Sequence, residues 1–80
     1  MGIEISTVKR LIWRYWKLET TGAEEKSSIA TDILTKAKRA PSLEALKLEL
    51  GQIQVNRLRQ VLDTRANDEI ATRLFSAAHA

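Results

Sequence analysis

Residues 29–46, IATDILTKAKRAPSLEAL, contain the features that decide the fold. Apolar side chains recur every three or four residues as far as Ala40, which is the period of one face of an α-helix. Pro41 cannot continue that helix and disfavours helical geometry at Ala40. Ser42 can cap a following helix, with Glu44 in its positive first turn. The stretch therefore predicts two helices joined by a tight connection. The apolar face of the first is expected to comprise Ile29, Ile33, Ala37 and Ala40, widened by Ala30 and Leu34.

The rest of the sequence predicts further helices. Helix formers dominate, and the chain has only three glycines and one proline, so connections are expected to be short. Ser6 or Thr7 is expected to cap a first helix that runs to about Thr20. The second helix is expected to begin near Gly22 and to end near Arg39.

Two further patterns indicate helix starts. Thr21 stands three residues before Glu24, which is the spacing of a capping box. A fourth helix is expected to start at Asn67, with Asp68 and Glu69 in its first turn, and to fade into the alanine-rich end SAAHA. Its apolar face is expected to comprise Ile70, Leu74, Ala77 and Ala78, with Phe75 at the margin.

Composition limits the classes of protein that this chain can represent. Residues 1–80 are expected to form a single all-α domain, a small bundle of three to four helices. The net charge of +3 is a mild excess of cations, which favours an anionic partner only weakly. With no cysteine and no apolar run long enough for a transmembrane segment, we expect a cytoplasmic protein.

Residues 7–20, TVKRLIWRYWKLET, contain three of the four aromatic side chains. On a helix, Trp16 lies at the edge of the core face, whereas Trp13 lies roughly 160° from Tyr15 and outside that face. Lys9 and Lys17 stand four residues before and after Trp13, in one row of the helix. The core face itself is expected to comprise Val8, Leu11, Ile12, Tyr15 and Leu18.

Three interpretations of Trp13 are open. The indole can lie under lysine stems as a partly covered side chain. It can instead be an exposed anchor for another macromolecule, since tryptophan and arginine are enriched at binding hot spots. A membrane-surface helix is the third possibility, although one face of the helix is already needed for the core. On the second interpretation the partner-binding residues are Lys9, Arg10, Trp13, Arg14, Trp16 and Lys17.

Residues 42–62, SLEALKLELGQIQVNRLRQVL, fit two structures that differ at Gly51. As one long or kinked helix, the segment has two apolar stripes, which suits packing on its own bundle and on a twin chain. One stripe comprises Leu43, Leu46, Leu50, Ile53 and Val61, and the other comprises Leu48, Val55, Leu58 and Leu62. Broken at Gly51, the segment instead gives a second helix over about 53–64.

The broken form resembles a helix-turn-helix, a motif that binds DNA through its second helix. Such motifs usually have a small residue four positions before the glycine and an apolar one six after it, where this sequence has Lys47 and Arg57. Polar side chains of the second helix would then suit contacts with base edges. The possible nucleic-acid contacts are Asn56, Arg57, Arg59 and Gln60.

The sequence provides no set of converging catalytic groups. The only histidine, His79, is penultimate, where we expect a solvated tail residue. No phosphate-binding glycine loop and no metal-ligand spacing is present, so we expect no enzyme activity, cofactor or metal. The sequence favours a binding or adaptor protein that contacts itself as a homodimer, a larger protein, or both, through its first helix. The alternative is a small basic DNA-binding regulator.

Overall fold

A computed structural model describes residues 4–17 and 22–79, which form four α-helices and contain no strand. The helices are α1 (Ile5–Trp16), α2 (Ala23–Arg39), α3 (Leu43–Gln52) and α4 (Thr64–Ala78), and a π-helical turn, Ile53–Arg57, extends α3. Helix α1 packs mainly on α2, and α3 mainly on α4. The all-α bundle predicted from the sequence is confirmed. Over these same residues, none of the helices is both long enough and apolar enough to cross a membrane.

Helix α1 differs from its predicted bounds at both ends. Glu4, with extended backbone, is its N-cap, so Ser6 and Thr7 lie inside the helix and do not cap it. The helix ends at Trp16 because Lys17 adopts a left-handed conformation (φ 54°), and its N–H donates to the Trp13 carbonyl at 3.1 Å. The predicted continuation is therefore wrong at Lys17, and residues 18–20 lie outside the described part of the chain.

The connection between α2 and α3 follows the prediction. Helix α2 ends at Arg39, and Ala40 is extended before Pro41, as proline requires. The Ser42 hydroxyl accepts a hydrogen bond from the Ala45 N–H at 3.2 Å, which confirms the N-cap of α3. At the other end of α2 the N-cap is Gly22, and the predicted capping box is untested because Thr21 lies outside the described residues.

Helix α3 passes through Gly51 without a turn. Gly51 has no positive φ, and the helical path continues into the π turn, which the Leu58 N–H closes by donating to the Ile53 carbonyl at 3.2 Å. Arg59 then adopts a left-handed conformation (φ 53°). The predicted helix through Gly51 is therefore observed as far as Arg57. The alternative, a break at Gly51 with a second helix over 53–64, is wrong, because Gly51 is helical and residues 58–63 are not.

Helix α4 starts three residues before its predicted position. The Asp63 carboxylate accepts a hydrogen bond from the Ala66 N–H at 3.1 Å and caps the helix. Asn67, the predicted start, is buried within the helix, and its amide donates to the Lys47 carbonyl at 3.1 Å. His79 is the C-cap of α4, and its Nε2 lies 3.1 Å from the Ala37 carbonyl. His79 is therefore exposed, as predicted, but it contacts α2 and is not a free tail residue.

All four helices contribute to one apolar core. The predicted face of α2 is confirmed, since Ile29, Ile33 and Ala37 are fully buried. Leu11 and Tyr15 of α1 are partly buried, and Leu18 lies outside the described residues. The largest fully buried side chains are Val8, Ile12, Ile29, Ile33, Leu46, Leu50, Ile70 and Leu74.

Candidate functional site

The outer side of α1 exposes a tryptophan held by a cation from α2. The Trp13 side chain is 49% exposed, and the Lys26 Nζ lies 3.5 Å from the centroid of its ring. This geometry is a cation–π interaction, in which the ammonium is attracted to the negative face of the indole. The first of the three interpretations of the sequence placed the indole under lysine stems, and the lysines in its row of the helix were Lys9 and Lys17. It missed Lys26 because that contact depends on how α2 packs against α1.

A shallow cavity of about 390 Å³ lies beside the indole. This volume is at the low end of the range for ligand pockets, about 300–1,000 Å³. Its walls are carbon, because the indole and the aliphatic stems of long cationic side chains line it. The lining residues are Lys9, Arg10, Trp13, Arg14 and Lys26. The site is therefore an apolar depression surrounded by positive charge.

The cations around this depression are not neutralised by carboxylates of the described residues. Elsewhere in the same part of the chain, Lys36, Lys47, Arg57 and Arg73 each form an ion pair. The α1 surface, defined as Lys9, Arg10, Trp13, Arg14, Lys17 and Lys26, thus contains five cations. Two carboxylates, Asp63 and Glu69, line a neighbouring depression with Arg14 and Lys17. Five of the six predicted partner-binding residues belong to the α1 surface.

Trp16, the sixth predicted contact, belongs to the core. Its side chain is only 3% exposed and clusters with Val8 and Ile12. Its carbonyl accepts a hydrogen bond from the Gln60 side chain at 3.2 Å. Trp16 therefore cannot present its indole to a partner, and including it in the contact surface was a wrong prediction.

The predicted nucleic-acid contacts are not assembled on a recognition helix. The Arg57 guanidinium lies against α2, 3.1 Å from the Ser28 hydroxyl and 3.5 Å from the Asp32 carboxylate. Gln60 is engaged with α1 through its side chain. Asn56 and Arg59 are exposed. Arg57, at the end of the π turn, therefore contacts α2, and Gln60, which follows the turn, contacts α1.

A second apolar surface lies on α3 and the start of α4. Leu48 is 71% exposed, Val55 45% and Leu62 46%, and all three line a groove of about 490 Å³. These residues belong to the second apolar stripe predicted from the sequence, whose remaining member, Leu58, is partly buried. Val61, assigned to the same stripe as Leu46 and Leu50, is 91% exposed, because the chain leaves the helix at Leu58.

Within residues 4–17 and 22–79, no three histidine, aspartate or glutamate side chains converge as metal ligands. Comparison with known proteins finds no matching family, no similar curated protein and no similar solved structure.

Proposed function

We propose that this chain is a non-enzymatic binding protein that docks an acidic, amphipathic segment of another protein on the α1 surface. The observation that carries this proposal is the half-exposed Trp13 beside an apolar depression surrounded by cations that form no ion pair with a carboxylate of residues 4–17 or 22–79. Tryptophan supplies a large contact area with few rotatable bonds. The contact with Lys26 orders the indole before a partner arrives, which lowers the entropy cost of binding.

The chemistry of the depression favours a protein over a nucleic acid. Its carbon walls suit an apolar side chain, whereas phosphates require donors that converge on them. The Lys26 ammonium occupies one face of the Trp13 ring, so a base could stack only on the other face. An apolar anchor residue flanked by aspartate or glutamate would match both the depression and the surrounding cations.

Selection from a displayed library of random peptides tests the proposal. Wild-type protein is the target, and the Trp13→Ala variant is used to remove peptides that bind elsewhere. We expect the selected peptides to combine acidic residues with one large apolar residue. A synthetic selected peptide should bind Trp13→Ala about 30-fold more weakly or worse, which corresponds to the roughly 2 kcal/mol of a hot spot.

Charge provides the second arm of the same experiment. Arg10→Gln and Arg14→Gln should each weaken the binding of the selected peptide. Arg73→Gln is the control and should leave that binding unchanged, because Arg73 lies on α4 and pairs with Glu69. The proposal is overturned if no peptide is enriched, or if the enriched peptides are not acidic. Equal affinity for wild type and Trp13→Ala would also overturn it.

A further inference from the structure

Every polar group on the side chains of the α1 surface is a hydrogen-bond donor. This surface consists of three lysines, two arginines and one tryptophan. Lysine and arginine side chains have donors and no acceptor, and the indole of tryptophan has a single N–H donor. A backbone N–H group of a partner that lies against this surface therefore finds no side-chain acceptor.

The backbone beneath this surface does not supply the missing acceptor. The carbonyls of α1 up to Trp13 are bonded to N–H groups four residues further on, and the Trp13 carbonyl accepts from the Lys17 N–H at 3.1 Å. Residues 4–17 and 22–79 contain no strand, so this part of the chain has no sheet edge with which an extended segment could pair. An extended segment would thus leave N–H groups unpaired wherever it excludes water.

A helical segment avoids this cost, because its backbone groups bond one another. Only its side chains then need partners on the α1 surface. Carboxylates are acceptors that match ammonium and guanidinium donors. The carbon walls of the depression suit an apolar side chain from the same helix. The chemistry of the α1 surface therefore favours an amphipathic helix over an extended segment.

The spacing of the cations along α1 sets the spacing expected in the partner. Lys9 and Lys17 stand four residues before and after Trp13, so each is about 6 Å from it along the helix axis. Packed helices commonly cross at about 20°, so their rows of side chains run nearly parallel over this distance. Carboxylates four residues before and after an apolar residue of the partner helix would reproduce the same spacing.

We infer that the segment docked on the α1 surface is an α-helix with an apolar anchor residue and carboxylates four positions before and after it. The inference rests on the docking proposed above and adds the conformation and the spacing of the partner. The anchor side chain enters the depression beside Trp13, and the two carboxylates pair with Lys9 and Lys17. Arg10 and Arg14, which also line the depression, add positive charge.

Two synthetic peptides of identical composition test the helix. Each has one leucine and two glutamates in a background of alanine and glutamine. In the first peptide the glutamates stand four positions from the leucine, and in the second they stand two positions from it, the spacing of one face of a strand. Fluorescence anisotropy with wild-type protein should show that the first peptide binds at least about tenfold more tightly, because both charge contacts need the helical spacing.

The bound conformation provides a second measurement. Carbon chemical shifts of the isotope-labelled first peptide should be those of a helix when wild-type protein is added. Proline placed two positions after the leucine faces away from α1 on a helix, so it disrupts the helix without removing a contact. This peptide should bind at least about tenfold more weakly than the first.

Charge exchange tests the spacing. Replacing the glutamate before the leucine by lysine should weaken binding. Either Lys9→Glu or Lys17→Glu, but not both, should restore it, because the helix docks in one direction. Lys38→Glu, an exposed position in the last turn of α2, makes the same change of charge and should not restore binding. Any other pattern of restoration overturns the spacing.

The remaining outcomes separate the helix from the docking itself. Equal or tighter binding of the second peptide overturns the helix, as does a first peptide that does not bind. If the peptides selected from the random library require Trp13 but are extended when bound, the docking stands and the helix is wrong. If that library yields no enriched peptide, both proposals are wrong.

Discussion

The ammonium of Lys26 lies 3.5 Å from the centroid of the Trp13 ring, so the first turn of α2 holds an indole on the outer side of α1. The same indole remains 49% exposed. An ordered aromatic side chain with free surface loses little rotamer freedom when a partner binds. This contact therefore connects the packing of two helices to the availability of a binding anchor.

The two tryptophans should respond differently to truncation. Trp13→Ala should lower the free energy of unfolding by less than about 1 kcal/mol, because it removes an exposed cation–π contact. Trp16→Ala should lower it by about 3–5 kcal/mol, since it empties a site in the core. Denaturant titrations of the two variants measure both effects. A Trp13→Ala variant that unfolds outright would show that this indole is part of the core and not an anchor.

Replacement of Gly51 by alanine should stabilise the fold. Gly51 lies inside α3 without a positive φ, and an added Cβ would meet Leu62 at an ordinary contact distance of 3.5 Å. Gly51→Ala should therefore raise the free energy of unfolding by up to about 1 kcal/mol, because alanine is the better helix former. Thermal melting of the variant and of wild type at the same protein concentration measures the change. A lower melting temperature would contradict the helical assignment at this position.

Gly22 provides the matched control. It is the N-cap of α2, a position where glycine is preferred to alanine, and nothing lies within 4 Å of an added Cβ. Gly22→Ala should therefore slightly lower stability. Opposite signs at the two glycines would show that local backbone position, and not a general effect of alanine, decides the result.

The sequence predicted the parts of the fold that depend on local signals. The stop at Pro41, the cap at Ser42 and the buried face of α2 each follow from neighbouring residues in the chain. The start of α4 was missed because Asn67 resembles a cap in sequence, whereas in the fold it bonds a carbonyl of α3. The cap at Asp63 becomes apparent only when the chain is known to leave the helix at Leu58.

Features of the site that depend on α1 alone could be predicted from the sequence, whereas contacts between helices could not. Helical geometry alone put Trp13 outside the core face, and the structure agrees. The contact with Lys26 and the ion pairs of Arg57 depend on α2, which a pattern along one helix does not contain. The burial of Trp16 followed from how far the neighbouring helices extend over the edge of that face, which periodicity does not measure.

The ion pair between α2 and α3 should make the free energy of unfolding fall as the pH becomes alkaline. Lys36 lies 3.0 Å from Glu49 and 3.9 Å from Asp32. The hydrogen bond to Glu49, and then the charge of Asp32, raise the pKa of Lys36 above its ordinary value of 10.5. Because the folded-state pKa is the higher one, the stabilisation is fully present below about pH 10.5 and is lost as pH rises through the folded pKa.

Comparison of wild type with Lys36→Met measures this contribution. The difference in the free energy of unfolding should be constant near neutral pH, below about 1 kcal/mol for a pair that is partly exposed, and should shrink at alkaline pH. In a Glu49→Gln background the same substitution should show a smaller pH dependence, because the first cause of the shift is removed. A difference that grows at alkaline pH would contradict the sign of the shift.

Binding to duplex DNA distinguishes the α1 surface from that of a gene regulator. The cations on this surface can neutralise phosphates, so some affinity is expected at low salt. Arg57 is paired with carboxylates of α2 and should add little to the affinity for DNA. We expect an affinity for duplex DNA no better than about micromolar at physiological salt, with no preference for sequence. A plot of log affinity against log salt concentration should fall with a slope of at most about 4 to 5, because each phosphate contact contributes about 0.9.

Fluorescence anisotropy with random and defined duplexes at two salt concentrations measures these quantities. Arg14→Gln should reduce the salt slope by about one unit. It should weaken the binding of all duplexes equally, because a phosphate contact carries no sequence information. Arg59→Gln changes a residue that the helix-turn-helix alternative assigns to base contacts, and it should affect the binding of all duplexes equally. Nanomolar binding to a single sequence that persists at the higher salt would contradict protein docking as the main function of α1 and favour the regulator, because only direct contacts with bases resist screening in that way.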